Sequence, residues 1–297
     1  MQLNFLQEIQ KGDIKSLARC ISLIENQAQG SVELLKHLTF STTPVIGFTG
    51  PPGVGKSTIV NVLIGELIKK EKKVAVLCID PSSPFHHGAF LGDRIRMNRW
   101  ADHPSVYIRS LSSRGSLGGL HPRIFEITDL LKSAPYDFIL IETVGVGQSE
   151  LEIASIADFT VMILMAGFGD EIQALKSGVL EVADLFVVNK ADNPDTKLFI
   201  KNLQSALYMG PKQIDIIETI ATESVGVDLV LRAIENRSEP SDQKQFLILA
   251  EKAYRLILAD SMKEVDKTAL FDKIKGEARS ENFNIYEFVA DYLSTRK

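Results

Sequence analysis

Two cysteines, Cys20 and Cys78, and five histidines are spread over 297 residues, and no run of apolar residues approaches the ~18 that a membrane-spanning helix needs. Each shortage excludes something. Neither cysteine stands in a Cys-x-x-Cys pair or beside a histidine, so no metal framework or disulfide scaffold is visible, and two reduced, mostly buried thiols are expected. The adjacent pair His86-His87 cannot easily chelate one ion and reads as a solvated loop. Without a long apolar run no membrane is expected. The opening Met1-Gln2-Leu3-Asn4-Phe5-Leu6-Gln7-Glu8 has neither the basic leader nor the apolar core of a signal peptide, which predicts a cytoplasmic protein. Positive charge is not in excess either, with 33 Lys and Arg against 38 Asp and Glu for a net charge of −5. A general nucleic-acid binder carries a basic surface, so nucleic acid is not an expected partner. What is present is an ordinary globular balance, 45% apolar and 24% charged, in a chain long enough to bury a core without crosslinks.

The pattern along the chain is helical, then alternating, then helical again. Leu6, Ile9, Ile14, Leu17, Ile21 and Ile24 recur at helical spacing, with Gly12-Asp13 ending one short helix and capping the next. Short apolar runs follow at residues 45–49, 74–79, 106–108, 138–141, 160–165, 185–188 and 214–217, with helix-like segments between most of them. Such alternation predicts an α/β fold, a mostly parallel sheet covered by helices on both faces. From Ser241 the strands stop, and Phe246, Leu249, Ala250, Tyr254 and Ile257 return to helical spacing, followed by a second amphipathic stretch ending near Tyr292. The expected organisation is an N-terminal helical extension over residues 1–41, a core over 42–237 and a C-terminal helical extension over 238–297, the last suited to packing or dimerisation.

The first strand runs directly into Gly50-Pro51-Pro52-Gly53-Val54-Gly55-Lys56-Ser57-Thr58, a G-x-x-x-x-G-K-S sequence after a strand and before a helix. Glycines let backbone N–H groups curl around phosphate oxygens, and the helix N-terminus adds a favourable dipole. Lys56 is expected to reach the β- and γ-phosphates and Ser57 to ligate Mg²⁺. A nucleoside triphosphate site follows.

The base is indicated further on. The run 185–188 feeds Asn189-Lys190-Ala191-Asp192, an N-K-x-D sequence. The carboxylate of Asp192 can accept from both N1–H and the 2-amino group of guanine. Adenine offers neither donor and would leave that carboxylate unpaired, which favours GTP over ATP. Lys190 is expected along the purine face, with Asn189 bracing the loops. Thr219-Ile220-Ala221 is a candidate last base-contacting loop, with the Ala221 backbone near the guanine oxygen.

Tyr136 to Gly145 resembles a strand ending in D-x-x-G, with Glu142 in place of the aspartate. Glu142 is therefore a candidate Mg²⁺ contact, and Gly145 a candidate N–H donor to the γ-phosphate. Small GTPases place a water-orienting glutamine after that glycine. Here Val146 stands there and Gln148 is the next glutamine, so slow intrinsic turnover is expected. Asp80, closing the strand taken to neighbour the phosphate loop, reads either as a Mg²⁺ ligand or as a turn residue before Pro81. Asp93 is a further candidate for the metal shell. Arg94 and Arg96 read either as surface charge or as groups that meet transition-state charge.

Together these residues resemble the MeaB/ArgK family of P-loop GTPases. The resemblance covers nearly the whole chain: Gly12-Asp13, the phosphate loop, Asp80-Pro81-Ser82-Ser83-Pro84, Leu91-Gly92-Asp93-Arg94, Arg114 to Leu120, Glu142 to Glu150, Gly169-Asp170-Glu171-Ile172-Gln173 and Asn189 to Asp192. It implies a SIMIBI-like P-loop NTPase fold and a homodimeric GTPase, with GTP or GDP and Mg²⁺ bound. It also implies a chaperone that gates cofactor loading into an adenosylcobalamin-dependent acyl-CoA mutase. By resemblance, Asp80, Asp93 and Glu142 fall near Mg²⁺, while Asp170, Gln173 and Lys176 fall in an additional switch. The chain departs from the family at His86-His87-Gly88, Ala166-Gly167-Phe168 and Ile220. A nickel metallochaperone GTPase, a transport-associated ATPase or kinase, and a nucleotide-binding scaffold without turnover are the rival readings.

Overall fold

Seven parallel strands are interleaved with helices that cover both faces of one sheet. The computed structural model of the chain describes residues 2–39, 41–80, 97–114, 119–143, 145, 152–167, 182–208, 213–263, 265–277 and 284–294. They divide into two compact units, Met1–Gln245 and Phe246–Lys297.

In the first unit, helices α1 (Gln2–Gln10), α2 (Ile14–Glu25) and α3 (Ser31–Lys36) precede strand β1 (Val45–Thr49) and helix α4 (Lys56–Lys69). Then come β2 (Val74–Asp80), β3 (Val106–Ser112), α5 (Ile124–Lys132), β4 (Phe138–Glu142), β5 (Phe159–Leu164), β6 (Leu185–Asn189), α6 (Thr196–Tyr208), β7 (Asp215–Thr219) and α7 (Val227–Glu235). The strand order is β3-β2-β4-β1-β5-β6-β7. Every residue of β1, β2, β4 and β6 is buried, which is why these strands read as unbroken apolar runs rather than alternating ones.

Alternate side chains feed opposite faces of the sheet. Val45, Leu77 and Ile141 join α1, α2 and α5 in one cluster, while Ile46, Val76 and Leu140 join α4 and α7 in another. The N-terminal helices thus share a core with the sheet. Asp13 caps α2 by accepting from the Ser16 N–H at 2.6 Å. Leu6, Ile9, Leu17, Ile21 and Ile24 are buried, but Ile14 is not. As the first residue of α2, Ile14 lies beside the cap and faces outward.

Two further expectations are corrected. The strand ending at Asp80 does not neighbour β1: β4 lies between them, pairing Phe48 with Glu142 on one side and Cys78 with Glu142 on the other. Sequence order alone does not give spatial order, because β3 and α5 are traversed before the chain returns to fill the gap. The third strand is also longer than residues 106–108. Arg109, Ser110 and Ser112 break its apolar pattern, yet all seven residues pair with β2. The cost of carrying Arg109 is offset by α2, where Glu25 accepts from its guanidinium at 2.7 Å and Ser22 at 3.2 Å.

The second unit contains most of α8 (Asp242–Ser261) together with α9 (Lys267–Glu277) and α10 (Ile285–Ser294). No described residue of α8 is buried, and Phe246, Leu249, Tyr254 and Ile257 are all exposed. Phe288 is the buried residue of α10 and stacks on Tyr292 at 6.2 Å.

Candidate nucleotide site

The site is assembled at the C-terminal edge of the sheet, where β1, β4, β6 and β7 release their loops. This is where an open parallel sheet binds ligands. After Thr49 the chain curls through residues 50–55, and α4 begins at Lys56 behind Gly55, which has a left-handed backbone (φ 98°). Its first N–H groups have no intrahelical partner and point into the loop, a ready anion site. Val54 is buried and anchors the loop, Pro51 and Gly55 are half-buried, and Pro52 and Gly53 are exposed at the tip.

Lys56 is buried, and its ammonium is held at the mouth of the loop by the Gly50 carbonyl at 2.8 Å and the Pro51 carbonyl at 3.0 Å. Gly145, three residues past the end of β4, packs against the same spot. A Cβ on Gly145 would lie 2.3 Å from the Gly50 carbonyl oxygen and 2.5 Å from Lys56 Nζ, and its φ of +80° belongs to the left-handed region. Only glycine fits there. The two strand ends are tied just below, where the Thr143 hydroxyl donates to Thr49 Oγ1 at 2.9 Å and the Thr143 N–H to the Phe48 carbonyl at 3.0 Å.

Ser57 and Glu142 meet in the buried floor. The Ser57 hydroxyl donates to Glu142 Oε1 at 2.6 Å, with both residues under a tenth exposed. Asp80 ends β2, the strand beside β4, and is 2% exposed. Thr58 is half-buried on the first turn of α4.

Asn189 closes the other side. It ends β6, is buried, and donates from Nδ2 to the Val54 carbonyl at 2.8 Å. Its Oδ1 accepts from the Ala221 N–H at 3.1 Å and from the Thr219 hydroxyl at 3.0 Å. One side chain therefore joins the phosphate loop, the end of β7 and the turn at Ala221–Glu223. Lys190 has a left-handed backbone (φ 57°) and reaches back to the Gly53 carbonyl at 3.0 Å. Asp192 is exposed at the rim, and the Ala191 N–H is pinned to the Thr219 carbonyl at 3.0 Å.

The structure thus brings together Gly50 to Thr58, Glu142, Gly145, Asn189, Lys190 and Ala221, with Asp80 one strand out from Glu142. Asp93, Arg94, Arg96, His86, His87, Gln148, Asp170, Gln173 and Lys176 lie outside the described residues. Sequence reasoning missed the Thr49–Thr143 hydroxyl pair and the Arg99–Trp100 pair beside α4. No local spacing marks the first; the second carries the chain's single tryptophan, a signal that was there to be noticed.

A strand, a glycine-rich turn and a helix N-terminus, with an N-K-x-D loop two strands away on the same edge, define a P-loop GTPase. The family model described as "Methylmalonyl Co-A mutase-associated GTPase MeaB" matches residues 17–275, and the chain belongs to that family. A relative from Pyrococcus horikoshii is 40% identical over 231 residues, spanning 75% of this chain and 73% of its own. The GTPase ArgK of Escherichia coli is 36% identical over 243 residues, spanning 77% and 73%. The solved structure of a LAO/AO transport system kinase superposes with a TM-score of 0.69 over 99% of this chain and 97% of its own, at 24% identity, which shows the shared fold. No described helix is long and apolar enough to cross a membrane.

Proposed function

We propose that this GTPase uses Mg²⁺ and the residues above to hydrolyse GTP slowly, and that it reports nucleotide state to an adenosylcobalamin-dependent acyl-CoA mutase as a homodimer. The carrying observation is Gly145 seated against Gly50 and Lys56, so that the segment leaving β4 touches the phosphate loop itself. Any group at the γ-phosphate position is felt there, and the segment that follows carries the state outward.

The donor set suits Mg²⁺. A serine hydroxyl and two buried carboxylates, Glu142 and Asp80, supply hard oxygen ligands beside an anion site. Ser57 and Glu142 would hold the ion, with Asp80 and Asp93 proposed alongside. When bound, Mg²⁺ supplies charge neutralisation at the β- and γ-phosphates.

Water attacks the γ-phosphorus, the bond to the bridging oxygen breaks, and GDP and phosphate leave. Lys56 stabilises the negative charge that builds on the leaving and equatorial oxygens. The Gly145 N–H donates to the γ-phosphate, and Arg94 and Arg96 are proposed contributors of further positive charge. Asn189 fixes the base loop, Lys190 lies along the purine face, and the Asp192 carboxylate accepts from guanine, with the Ala221 backbone near the guanine oxygen.

The partner reading rests on the family to which the chain belongs. The homodimer reading rests on the second unit, whose helices expose Phe246, Ile257, Phe271 and Tyr286. Large apolar side chains exposed in this number on one helical unit are the kind that association covers. Co-purification of acyl-CoA mutases with the chain in GDP and in a non-hydrolysable GTP analogue tests the partner. Binding in one state over the other is expected, and failure of every mutase in both states rejects the chaperone role while leaving the GTPase intact. Sedimentation as a monomer at micromolar concentration would reject the dimer.

A further inference from the structure

A groove of about 420 Å³ runs along the outer face of α4, and two of its walls belong to the nucleotide site. Thr58 follows Ser57 in the phosphate loop, and Ala221 is held by Asn189 beside the base loop. A nucleotide with its phosphates at one wall and its base at the other has its ribose between them. The groove continues from those walls down the helix past Gly65 to Lys69, toward the C-terminal end of α4. A substituent that leaves a bound nucleotide in this direction leaves from the ribose.

The far part of the groove is built for an anion. Trp100 lies against α4, its indole N–H donating to Asn61 Oδ1 at 2.6 Å. The Arg99 guanidinium is stacked over that indole, 4.2 Å from the ring centroid. Gly65 permits the approach, since a Cβ there would come within 3.3 Å of both Arg99 Nη2 and Trp100 Cζ2. Arg99 forms no ion pair among the described residues, whereas Lys69, the other cation of the groove, is held by Glu66 at 2.7 Å. A planar guanidinium already fixed on an aromatic face loses little freedom on binding phosphate and offers it two parallel N–H donors.

We propose that this groove receives a phosphate or diphosphate carried on a ribose hydroxyl of a guanine nucleotide, and that such a nucleotide competes with GTP at the phosphate loop. The inference rests on the guanine reading of Asn189 to Asp192 and adds a ligand class to that same site.

Trp100 is the only tryptophan, so its fluorescence reports the groove directly. The experiment titrates the full chain with GDP, with GDP bearing a second diphosphate on the ribose 3′ hydroxyl, and with inorganic pyrophosphate, for the natural sequence and for Arg99→Ala. Calorimetry is run in parallel, and thermal unfolding checks that the variant folds. The doubly substituted nucleotide is expected to bind about tenfold more tightly than GDP and to change Trp100 emission beyond the change GDP produces. Arg99→Ala is expected to abolish that advantage while GDP affinity stays the same. Equal affinity for the two nucleotides, an advantage that survives Arg99→Ala, or an equal response to pyrophosphate alone overturns the proposal. No binding of GDP itself would instead reject the guanine reading on which it rests.

Discussion

Asn189 donates to the Val54 carbonyl at 2.8 Å while its own carbonyl accepts from the Ala221 N–H at 3.1 Å, so one buried amide fixes the phosphate loop to the base loop. The Thr219 hydroxyl adds a third partner at 3.0 Å. Asn189→Ala leaves these groups buried without partners, at about 1–3 kcal/mol each. Both a lower melting temperature and a loss of GDP affinity of about tenfold or more are expected. Asn189→Asp keeps the acceptor and sets a carboxylate against the Val54 carbonyl, so calorimetry with GDP is expected to place it between the other two proteins. Unchanged affinity in Asn189→Ala would mean that the two loops are positioned independently.

Asp192 is exposed at the rim beyond Lys190, placed for a base rather than for the core. The Asp192→Asn amide presents one donor and one acceptor where the carboxylate presented two acceptors. Guanine then meets a donor at its 2-amino group, whereas xanthine offers a carbonyl there. Selectivity is expected to move from GTP toward xanthosine triphosphate by about a hundredfold or more, read by competition against labelled GDP. Persistent preference for GTP would remove Asp192 from the base contact.

Much of this site was legible because its parts are local. Gly50 to Thr58 sits directly after a buried strand and Asn189 to Asp192 begins on the last residue of another, so an apolar run followed by a chemical motif located both. Spatial order was not legible, since nothing in residues 74–80 says that β4 will lie between β2 and β1. Nor was the polar half of β3. Arg109 interrupts the run, and its partner Glu25 lies 84 positions earlier, too far for any periodicity to link them. The Arg99–Trp100 pair went unread for a similar reason: its meaning depends on Asn61 and Gly65 on a different element.

The Ser57–Glu142 contact at 2.6 Å sits under the mouth of the loop, where charge on the γ-phosphate must be balanced. Glu142→Gln keeps the size and an acceptor for Ser57 but removes the negative charge that would hold a cation. Turnover is expected to fall about a hundredfold, with a higher Mg²⁺ concentration for half-maximal rate and little change in GDP affinity. Single-turnover hydrolysis across a magnesium series measures both. A rate loss with an unshifted magnesium dependence would assign Glu142 to positioning Ser57 alone.

Gly145 is the residue through which β4 touches the phosphate loop. In Gly145→Ala the new Cβ meets the backbone carbonyl of Gly50 at 2.3 Å, which cannot swing aside as the Lys56 amine can. The left-handed φ of +80° adds about 1–2 kcal/mol for a side-chain-bearing residue. The segment must lift from the loop, so hydrolysis is expected to drop at least about tenfold while GDP still binds. A variant with full activity would show that contact between Gly145 and the loop is dispensable for turnover.

His121 gives the fold a specific acid sensitivity. It is 1% exposed, and its Nδ1 accepts from the Arg123 N–H at 3.0 Å, which requires an unprotonated nitrogen there. Burial above all, joined by Arg114, Arg123 and Arg109 and opposed by Glu25, holds its pKa down from 6.5 to about 4. Between those values the unfolded chain carries a proton that the folded chain does not, so stability rises with pH across this window. The contribution is complete above pH 6.5 and is lost as the pH falls toward 4, about 3 kcal/mol over the full range. His121→Asn retains an acceptor for Arg123 and cannot titrate. Urea unfolding of both proteins at a series of pH values therefore separates this histidine from the carboxylates that titrate in the same range. The natural sequence is expected to lose stability faster than the variant between pH 6.5 and 4, and parallel profiles would show that His121 is protonated in the folded state as readily as in the unfolded one.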